Sequence, residues 1–431
     1  MRRYGQINLG RRFIGDPSGS AAVLAALLFP VVIGGIGLGA EVGFWYFKER
    51  QLQHAADLSA HAAGTRKRAG DPEENLREIA LNIASKSGFD ESSGTLTITA
   101  PPETGENAGN ADAVEVRLTR EVPRLFSAIF NDEPVALHVR AVALIRGGQE
   151  ACVLALSPSA ANAVKLSGSS LVDLQNCDLA SNSMASDAIL MSGGSAALKA
   201  GCVYAVGEIV ETTRLTLTEC EEVKEYASVT ADPYALVAEP AGIPNIPCSS
   251  RNLGNSNTET AFTPAYAHAS GMRAARFCGG LSIQGTVTFE PGLYVIDGGT
   301  FSANAGAVIS GTGVTFFLTN GATARLNGSA ALDVSPPTIE PYSGLTFFGS
   351  RSGAGLTHQV NGNSGSIVEG AVYFPSSHVQ FSGNSKTSGG GGCTQVIGDT
   401  VELTGNSSLR SSCAASGTRD VLANRFVRLV E

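Results

Sequence analysis

Residues Phe381–Ser385 (FSGNS) and Leu403–Ser407 (LTGNS) carry a short motif that recurs along the C-terminal two thirds of the chain. The motif is an apolar residue, one spacer, a glycine and then small polar residues. Its further copies are Leu166–Ser170, Leu326–Ser329, Val360–Ser364 and the looser Met191–Ser195. Gly362, Gly383 and Gly405 follow each other at intervals of 21 and 22 residues, and Gly168 and Gly193 are 25 residues apart. Short β-prone runs with Gly/Asn/Ser corners at such a period are typical of a β-solenoid.

The physical chemistry of the motif supports this interpretation. Each coil pairs its backbone with the coils above and below at about 4.8 Å, while glycine and asparagine accept the left-handed corner conformations that other residues resist. Apolar runs such as Gly292–Ile296 and Gly313–Leu318 supply the interior. We therefore predict a mainly β chain with a right-handed parallel β-helix (β-solenoid) over residues 151–431. The proline-rich stretch at about 221–280 is predicted to be an irregular insertion packed on it.

All eight cysteines lie beyond residue 150, at Cys152, Cys177, Cys202, Cys220, Cys248, Cys278, Cys393 and Cys413. An even count confined to one region predicts disulfides and an oxidising compartment. There is no CxxC motif and no Cys/His cluster, so no metal site is expected. Eight cysteines allow about 105 pairings, and connectivity stays open. Proximity favours Cys393–Cys413 and Cys248–Cys278 as candidate pairs.

Residues 71–150 predict a small α/β domain. A helix is expected from Pro72 towards Lys86, where proline and two glutamates suit a helix start. Strand-like alternation covers Thr95–Thr99, Val114–Leu118 and Val135–Ile145. A short helix is expected from Pro123 to Phe130. Nothing in this domain indicates chemistry.

The uninterrupted apolar run Ser20–Ala40 predicts a membrane-spanning helix, because as a helix it is about 30 Å long. We assign residues 19–47 to this helix and residues 1–18 to a cytoplasmic N-terminus, since Arg2, Arg3, Arg11 and Arg12 precede the run. The bulk of the chain then lies outside the cytoplasm. A cleaved signal peptide has the same layout, but Leu38–Ala40 fits a small-residue cleavage site poorly, which favours an uncleaved anchor.

Residues 48–70 predict a juxtamembrane helix that continues the anchor. Small residues recur along it at intervals of three and four. The candidate partner-binding residues are Leu52, Ala55, Ala56, Ser59, Ala60 and Ala63. A face of this kind fits a partner helix and fits equally well a packed helix of the next domain.

Several classes of function are disfavoured by the sequence. The net charge of −9 argues against nucleic acid as a partner. The acids of the solenoid are scattered, and His358 and His378, which are spaced to stack on adjacent coils, have no neighbours arranged as a triad. We therefore expect no enzymatic activity, no catalytic residues and no cofactor. A glycan-binding adhesin is the alternative function, and a polysaccharide-degrading β-helix enzyme is a weaker one.

The segment Phe13–Ala63 resembles the N-terminal domain of the TadE/TadG-like proteins of Tad (tight-adherence) pilus assembly. The matching motifs are Gly15–Ser20, the apolar run with Pro30, and Gln51–Ala60. Cys152–Ser159 also looks like the start of the repetitive region of larger TadG-like members.

The resemblance implies a structural or interaction component of Tad-type (Flp) pilus assembly. It would lie in the bacterial inner membrane as a single-pass protein with its bulk in the periplasm. Its partners would be other Tad pilus-assembly proteins, with a cell-envelope glycan as a further candidate.

The chain departs from the family in two places. Processed pilin-like members carry a glutamate just inside the apolar run, and Ser20–Phe29 has none, so prepilin-peptidase cleavage is not expected. Some TadG-like members have a von Willebrand factor A domain with an Asp-x-Ser-x-Ser metal motif. The nearest string here, Asp333–Pro337, ends in proline and does not fit, so neither that domain nor bound magnesium is expected.

Overall fold

The computed structural model describes residues 18–431 except 194, 256–257, 327–328, 362, 364–365, 383–392 and 411–413. The chain divides into two compact units. The helix–sheet unit takes the chain up to residue 67, residues 71–145 and residues 427–431. The solenoid unit takes residues 68–70 and 146–426.

The helix–sheet unit is built on one helix of 51 residues, α1 (Ser18–Arg68). Its other elements are α2 (Glu73–Lys86), β1 (Gly94–Thr99), β2 (Ala113–Val122), a 3-10 turn (Ser127–Ile129), β3 (Val135–Arg146) and a C-terminal strand (Phe426–Leu429). The four strands form one sheet in the order β1, β2, β3 and C-terminal strand, with β1–β2 and β2–β3 antiparallel. The anchor and the juxtamembrane helix are therefore a single helix.

The C-terminal strand corrects one predicted domain boundary. The sequence pattern predicts a solenoid over residues 151–431, but residues 427–431 belong to the helix–sheet unit. Val142 and the chain end exchange backbone hydrogen bonds, from Val142 N to Glu431 O and from Val430 N to Val142 O, both 2.9 Å. A four-residue strand has too short an alternation to be recognised in sequence.

The solenoid unit consists mostly of short strands, with a few longer strands that continue through a bend of the coil. In chain order the strands are Gln149–Ala155, Val164–Leu166, Leu171–Gln175, Asp178–Ser181, Ile189–Met191, Ala197–Ala200, Val203–Ala205, Ile209–Val210, Leu215–Leu217, Asn252–Leu253, Thr260–Phe262, Tyr266–Ala267, Arg273–Ile283, Thr286–Phe289, Gly292–Ala303, Val308–Thr312, Val314–Thr319, Thr323–Leu326, Ala331–Ser335, Leu345–Gly349, Thr357–Asn361, Ile367–Val368, Gly370–Ser382, Thr394–Thr404, Asn406–Arg410 and Leu422–Ala423. Two further 3-10 turns are Ile243–Asn245 and Ala414–Ser416.

These strands confirm the predicted β-solenoid, which has about 10 turns. Successive coils pair in parallel, as Gly292–Asp297 pairs with Val314–Thr319 residue by residue. Inward side chains of all coils merge into one apolar core with an aromatic centre. Backbone N–H and C=O groups form their hydrogen bonds with neighbouring coils, and the apolar side chains are buried in the interior. The fold therefore satisfies backbone hydrogen bonding and apolar burial in each coil.

In the copies at Leu166 and Leu403, whose backbone the structure describes in full, the repeated motif lies at one corner of the coils, as predicted. The other copies lie partly outside the described residues. The apolar first residues of the copies are in register: Phe381 pairs with Val360 and Leu403, and Leu166 pairs with Leu403 and Met191. Gly168 and Gly405 follow at this corner with φ of 73° and 71°, a left-handed conformation that favours glycine. The motif is therefore a structural repeat of the coil.

The coils are not stacked in chain order. The strand Thr394–Thr404 pairs in parallel with two strands of the first coil, so that Val396 lies beside Val153 and Leu403 beside Leu166. Asn406–Arg410 pairs likewise with Leu171–Gln175. The last coil thus stacks on the first, and the two ends of the stack are the coil at 203–217 and the coil at 252–262.

A segment that we call the strap, residues 226–248, connects these two ends. It leaves the coil at 203–217, where Ala227 N donates to Ala205 O. It then contacts the coils one after another along the stack, from the coil at 203–217 towards the coil at 252–262. The contacting residues are, in order, Thr230, Tyr234, Glu239 and Pro244, and the strap ends at Cys248. Strands that pair within the coils resume at Asn252, so the irregular insertion is shorter than the predicted 221–280.

Buried polar contacts hold the strap on the coils. Asn182 and Thr230 exchange two hydrogen bonds of 2.9 and 2.8 Å. Tyr373 Oη donates to Asp232 at 2.8 Å. Tyr234 is fully buried, with its ring 5.2 Å from that of Tyr373. Because these groups are paired and shielded from water, the strap is part of the folded solenoid.

Candidate membrane anchor and interaction site

The first half of α1 exposes an apolar surface on all sides. Its exposed large apolar residues are Val23, Leu24, Leu27, Leu28, Phe29, Val31, Val32, Ile33, Ile36 and Leu38. Within the described residues, α1 is the one helix long and apolar enough to cross a membrane. An apolar helix without a core to cover it is consistent with a lipid surround.

The second half of α1 packs within its own unit, which corrects the partner-binding hypothesis. Leu52, Ala55, Ala56, Ser59, Ala60 and Ala63 are all at most 1% exposed. The five apolar ones share a core cluster with residues of α2 and the sheet, such as Ala80 and Ala141. Small side chains are needed here because helix and sheet lie close together. The alternative interpretation, a packed helix of the next domain, describes this face.

We expect Ala60→Leu to lower the free energy of unfolding of the helix–sheet unit by about 1 to 3 kcal/mol, because the added carbons have no space in a filled core. Thermal unfolding of the purified protein in detergent, followed by circular dichroism, measures the effect. His61→Leu places the same leucine side chain at the adjacent exposed position and is the control for the substitution itself. Equal unfolding of the two variants would contradict the packing described here.

Glu41 joins α1 to the loop between β2 and β3. Its side chain is 1% exposed, and its carboxylate accepts hydrogen bonds from Leu125 N at 2.6 Å, Ser127 N at 2.9 Å and Ser127 Oγ at 2.9 Å. One turn earlier, a Cβ at Gly37 would lie 2.5 Å from the Phe126 ring. In the sequence, Glu41 falls within the predicted membrane-spanning helix 19–47, and no local pattern indicates its contact with a loop.

Three disulfides are present among the described residues: Cys152–Cys177, Cys202–Cys220 and Cys248–Cys278. The last is the pair that proximity favoured. Cys393 is also disulfide-bonded, while Cys413, its predicted partner, lies outside the described residues. The bonded cysteines all belong to the solenoid unit.

Asp178 is a buried carboxylate at the disulfide-rich end of the solenoid. Its Oδ1 accepts from Cys202 N at 2.7 Å, and its Oδ2 is buried without a hydrogen-bond partner. Burial, with a smaller contribution from the nearby Glu219, raises the pKa of Asp178 from 3.8 to about 7. The neutral carboxyl is therefore the form that the fold accommodates.

Because the pKa of Asp178 is raised in the folded state, its contribution to the free energy of unfolding is fully present below pH 3.8. This contribution is lost as the pH rises through about 7. Asp178→Asn keeps the acceptor for Cys202 N and cannot ionise. We expect its advantage over the natural chain to grow from pH 4 to pH 7 and to reach about 2 to 4 kcal/mol at pH 8. Denaturant unfolding across this pH range measures it. Asp333→Asn, at an exposed strand position, is the control, and parallel pH profiles for both variants would refute the assignment.

His358 and His378 do not stack on each other. His358 pairs with Val379, and His378 with Thr357, so the histidines are offset by one residue and point to opposite sides. His358 is buried and stacks on the Phe374 ring at 3.8 Å. Burial lowers its pKa to about 4. His378 is half-buried and contacts Thr400 Oγ1 at 2.8 Å.

An open cleft of about 740 Å³ lies beside the coil at 203–217. Its charged lining residues are Glu211, Glu221, Glu222, Glu225 and Lys224, and Lys224 is paired with Glu222 at 3.2 Å. Excess negative charge disfavours an anionic ligand here. Among the described residues, no group of three or more His, Cys, Asp or Glu has the geometry to hold a metal ion.

Comparison with known proteins finds one family. Residues 19–66, which cover nearly all of α1, match the family model Tad, described as "Putative Flp pilus-assembly TadE/G-like". No curated protein and no solved structure matches the chain. The match includes the exposed apolar half of α1 and the half packed in the helix–sheet unit. Over residues 19–66, therefore, this chain is similar to the TadE/G-like family of Flp pilus assembly, as the sequence motifs predicted.

Proposed function

We propose that this protein is a membrane-anchored structural component of Tad-type (Flp) pilus assembly, with its solenoid on the extracytoplasmic side. The observation that carries the proposal is the family match over α1, half of which is an unburied apolar helix. Such a helix needs a bilayer to cover it, and the matched family is one of pilus assembly. The partners proposed are the membrane and other pilus-assembly proteins.

The orientation is proposed from charge and from the cysteines. Arginines at positions 2, 3, 11 and 12 precede the apolar run and favour a cytoplasmic N-terminus. The three disulfides belong to the solenoid unit, which favours the periplasm over the cytoplasm. Both arguments give the same topology, with the inner membrane of a bacterium as the location.

We further propose a structural role without catalysis. His358 is stacked in the interior of the coil, and the side chain of Asp297 is held by Arg276 and Asn320. Groups held in this way serve the coil, since a hydrolase of the glycosidase type needs paired carboxylates open to a substrate.

The test is surface piliation in a strain that lacks this gene. We expect pili to be absent by electron microscopy while the pilin subunit is still made, and to return when the gene is supplied on a plasmid. Immunoblotting of pilin is the control that separates assembly from expression. Normal piliation in the deletion strain would contradict the proposal, and a loss of surface attachment by fully piliated cells would favour the adhesin alternative.

A further inference from the structure

The loop Arg124–Phe130, between β2 and β3, exposes large apolar side chains to solvent. Leu125 is 53% exposed, Ile129 is 80% exposed and Phe130 is 81% exposed. Three exposed large apolar side chains within six residues make an apolar surface of the kind that marks an interaction site. The loop belongs to the same compact unit as α1.

The contacts of the loop with α1 fix its level along the helix. The loop is held at Gly37 through Phe126 and at Glu41 through the hydrogen bonds to Leu125 and Ser127. With 1.5 Å per residue, the helix from Ser20 to Glu41 is about 30 Å long, which is the thickness of the hydrocarbon core of a bilayer. The loop therefore lies level with the end of the apolar run.

The Glu41 carboxylate also holds the polar groups of the loop on the side that faces α1. It takes up two backbone N–H groups and the Ser127 hydroxyl on the helix side, so these polar groups are satisfied without water. Beside them, the Arg124 guanidinium lies 5.6 Å from the centre of the Trp45 ring. An arginine with a tryptophan at the end of an apolar helix is a typical arrangement for the membrane interface.

We propose that the Arg124–Phe130 loop inserts into the interfacial layer of the bilayer as a second membrane contact beside α1. The lipid surface is the chosen occupant because the patch continues the exposed apolar surface of the anchor, with Val42, Tyr46 and Phe47 exposed at the same end of the run. The inference rests on the membrane anchoring in the proposed function. Two contacts, instead of one, fix the tilt of the helix–sheet unit on the membrane.

The chain offers a clean fluorescence test, because Trp45 is its one tryptophan. In a Trp45→Phe background of the full chain, Phe130→Trp places the probe in the loop. Leu236→Trp, at a position that is 79% exposed in the solenoid unit, is the matched control, and Phe29→Trp reports on the anchor. Each variant is reconstituted into phosphatidylcholine vesicles whose acyl chains are brominated near the headgroup or near the chain end.

We expect the tryptophan emission of the Phe130→Trp variant to be blue-shifted. Lipids brominated near the headgroup should quench most of this emission, and should quench it more than lipids brominated near the chain end. The Leu236→Trp variant should keep its emission with both lipids. Circular dichroism checks that each variant is folded. If the Phe130→Trp variant does not fold, Ile129→Trp serves as the loop probe in its place.

The other outcomes separate the inference from the proposed function. If the Phe29→Trp variant is quenched and the loop probes behave like Leu236→Trp, the anchor stands and the loop inference is wrong. A blue-shifted but unquenched loop probe means that protein covers the patch, which also overturns the inference. If the Phe29→Trp variant is unquenched as well, the membrane anchoring itself fails.

Discussion

Replacing Phe316 by alanine lowers the free energy of unfolding of the solenoid unit by about 3 to 5 kcal/mol, the cost of an aromatic side chain deleted from a filled core. Phe316 is fully buried at the centre of an aromatic stack that runs from coil to coil. Its ring centre lies 5.3 Å from that of Phe289, 5.1 Å from that of Phe301 and 5.5 Å from that of Phe347. The void therefore affects contacts of several coils at once.

Denaturant unfolding of the purified protein, followed by circular dichroism, measures this loss. Ile339→Ala is the control, because Ile339 is an exposed apolar residue of the same unit and its truncation leaves no cavity. An effect of Phe316→Ala no larger than that of Ile339→Ala would contradict the packed aromatic interior.

The second large effect is expected from the disulfide at the end of the strap. Cys248–Cys278 closes a loop with a sequence separation of 30 residues. A loop of this length corresponds to about 3 to 4 kcal/mol of stabilisation through the unfolded chain. The double variant Cys248→Ser, Cys278→Ser should lose about that much and should release the last part of the strap first. Without it, this end is held by hydrogen bonds, such as Ser249 N to Arg276 O at 2.6 Å, and by the buried side chain of Ile246.

Limited trypsin digestion distinguishes local release from general loosening. We expect faster cleavage after Arg251 in this double variant, since Arg251 lies just beyond the disulfide. The double variant Cys152→Ser, Cys177→Ser removes a disulfide from the first coil and is the matched control, in which cleavage after Arg251 keeps its natural rate. Equal cleavage in both variants would show that the disulfide does not hold the strap.

The periodicity of the sequence predicted the coils but not their order. A corner motif identifies a coil because its glycine and small polar residues are required locally, as at Gly168 and Gly405. The pairing of Leu166 with Leu403 joins residues far apart in sequence, and every coil presents the same backbone groups to its neighbour. Nothing local in either motif specifies which coil it meets.

The small face of α1 shows a second limit of sequence reasoning. Residues such as Ala56 and Ala60 allow close approach of any partner, so the pattern fits a second protein and the chain's own sheet alike. The chain's own sheet covers this face, because Ala141 and Ala143 of β3 are equally small and are buried in the same cluster. The role of Glu41 had a detectable signal, since an acidic residue at the end of an apolar helix needs a partner, but the partner loop is more than eighty residues away.

The most direct test of the central claim, that this chain serves pilus assembly from the membrane, is piliation of a strain whose only copy is released from the anchor. In that copy a cleavable secretory signal replaces residues 1–40, so that the solenoid is exported without its apolar run. We predict that the released protein is made and carries its disulfides, and that electron microscopy finds no pili. Full piliation by the released protein would contradict the account, because the apolar half of α1 would then have no part in the function.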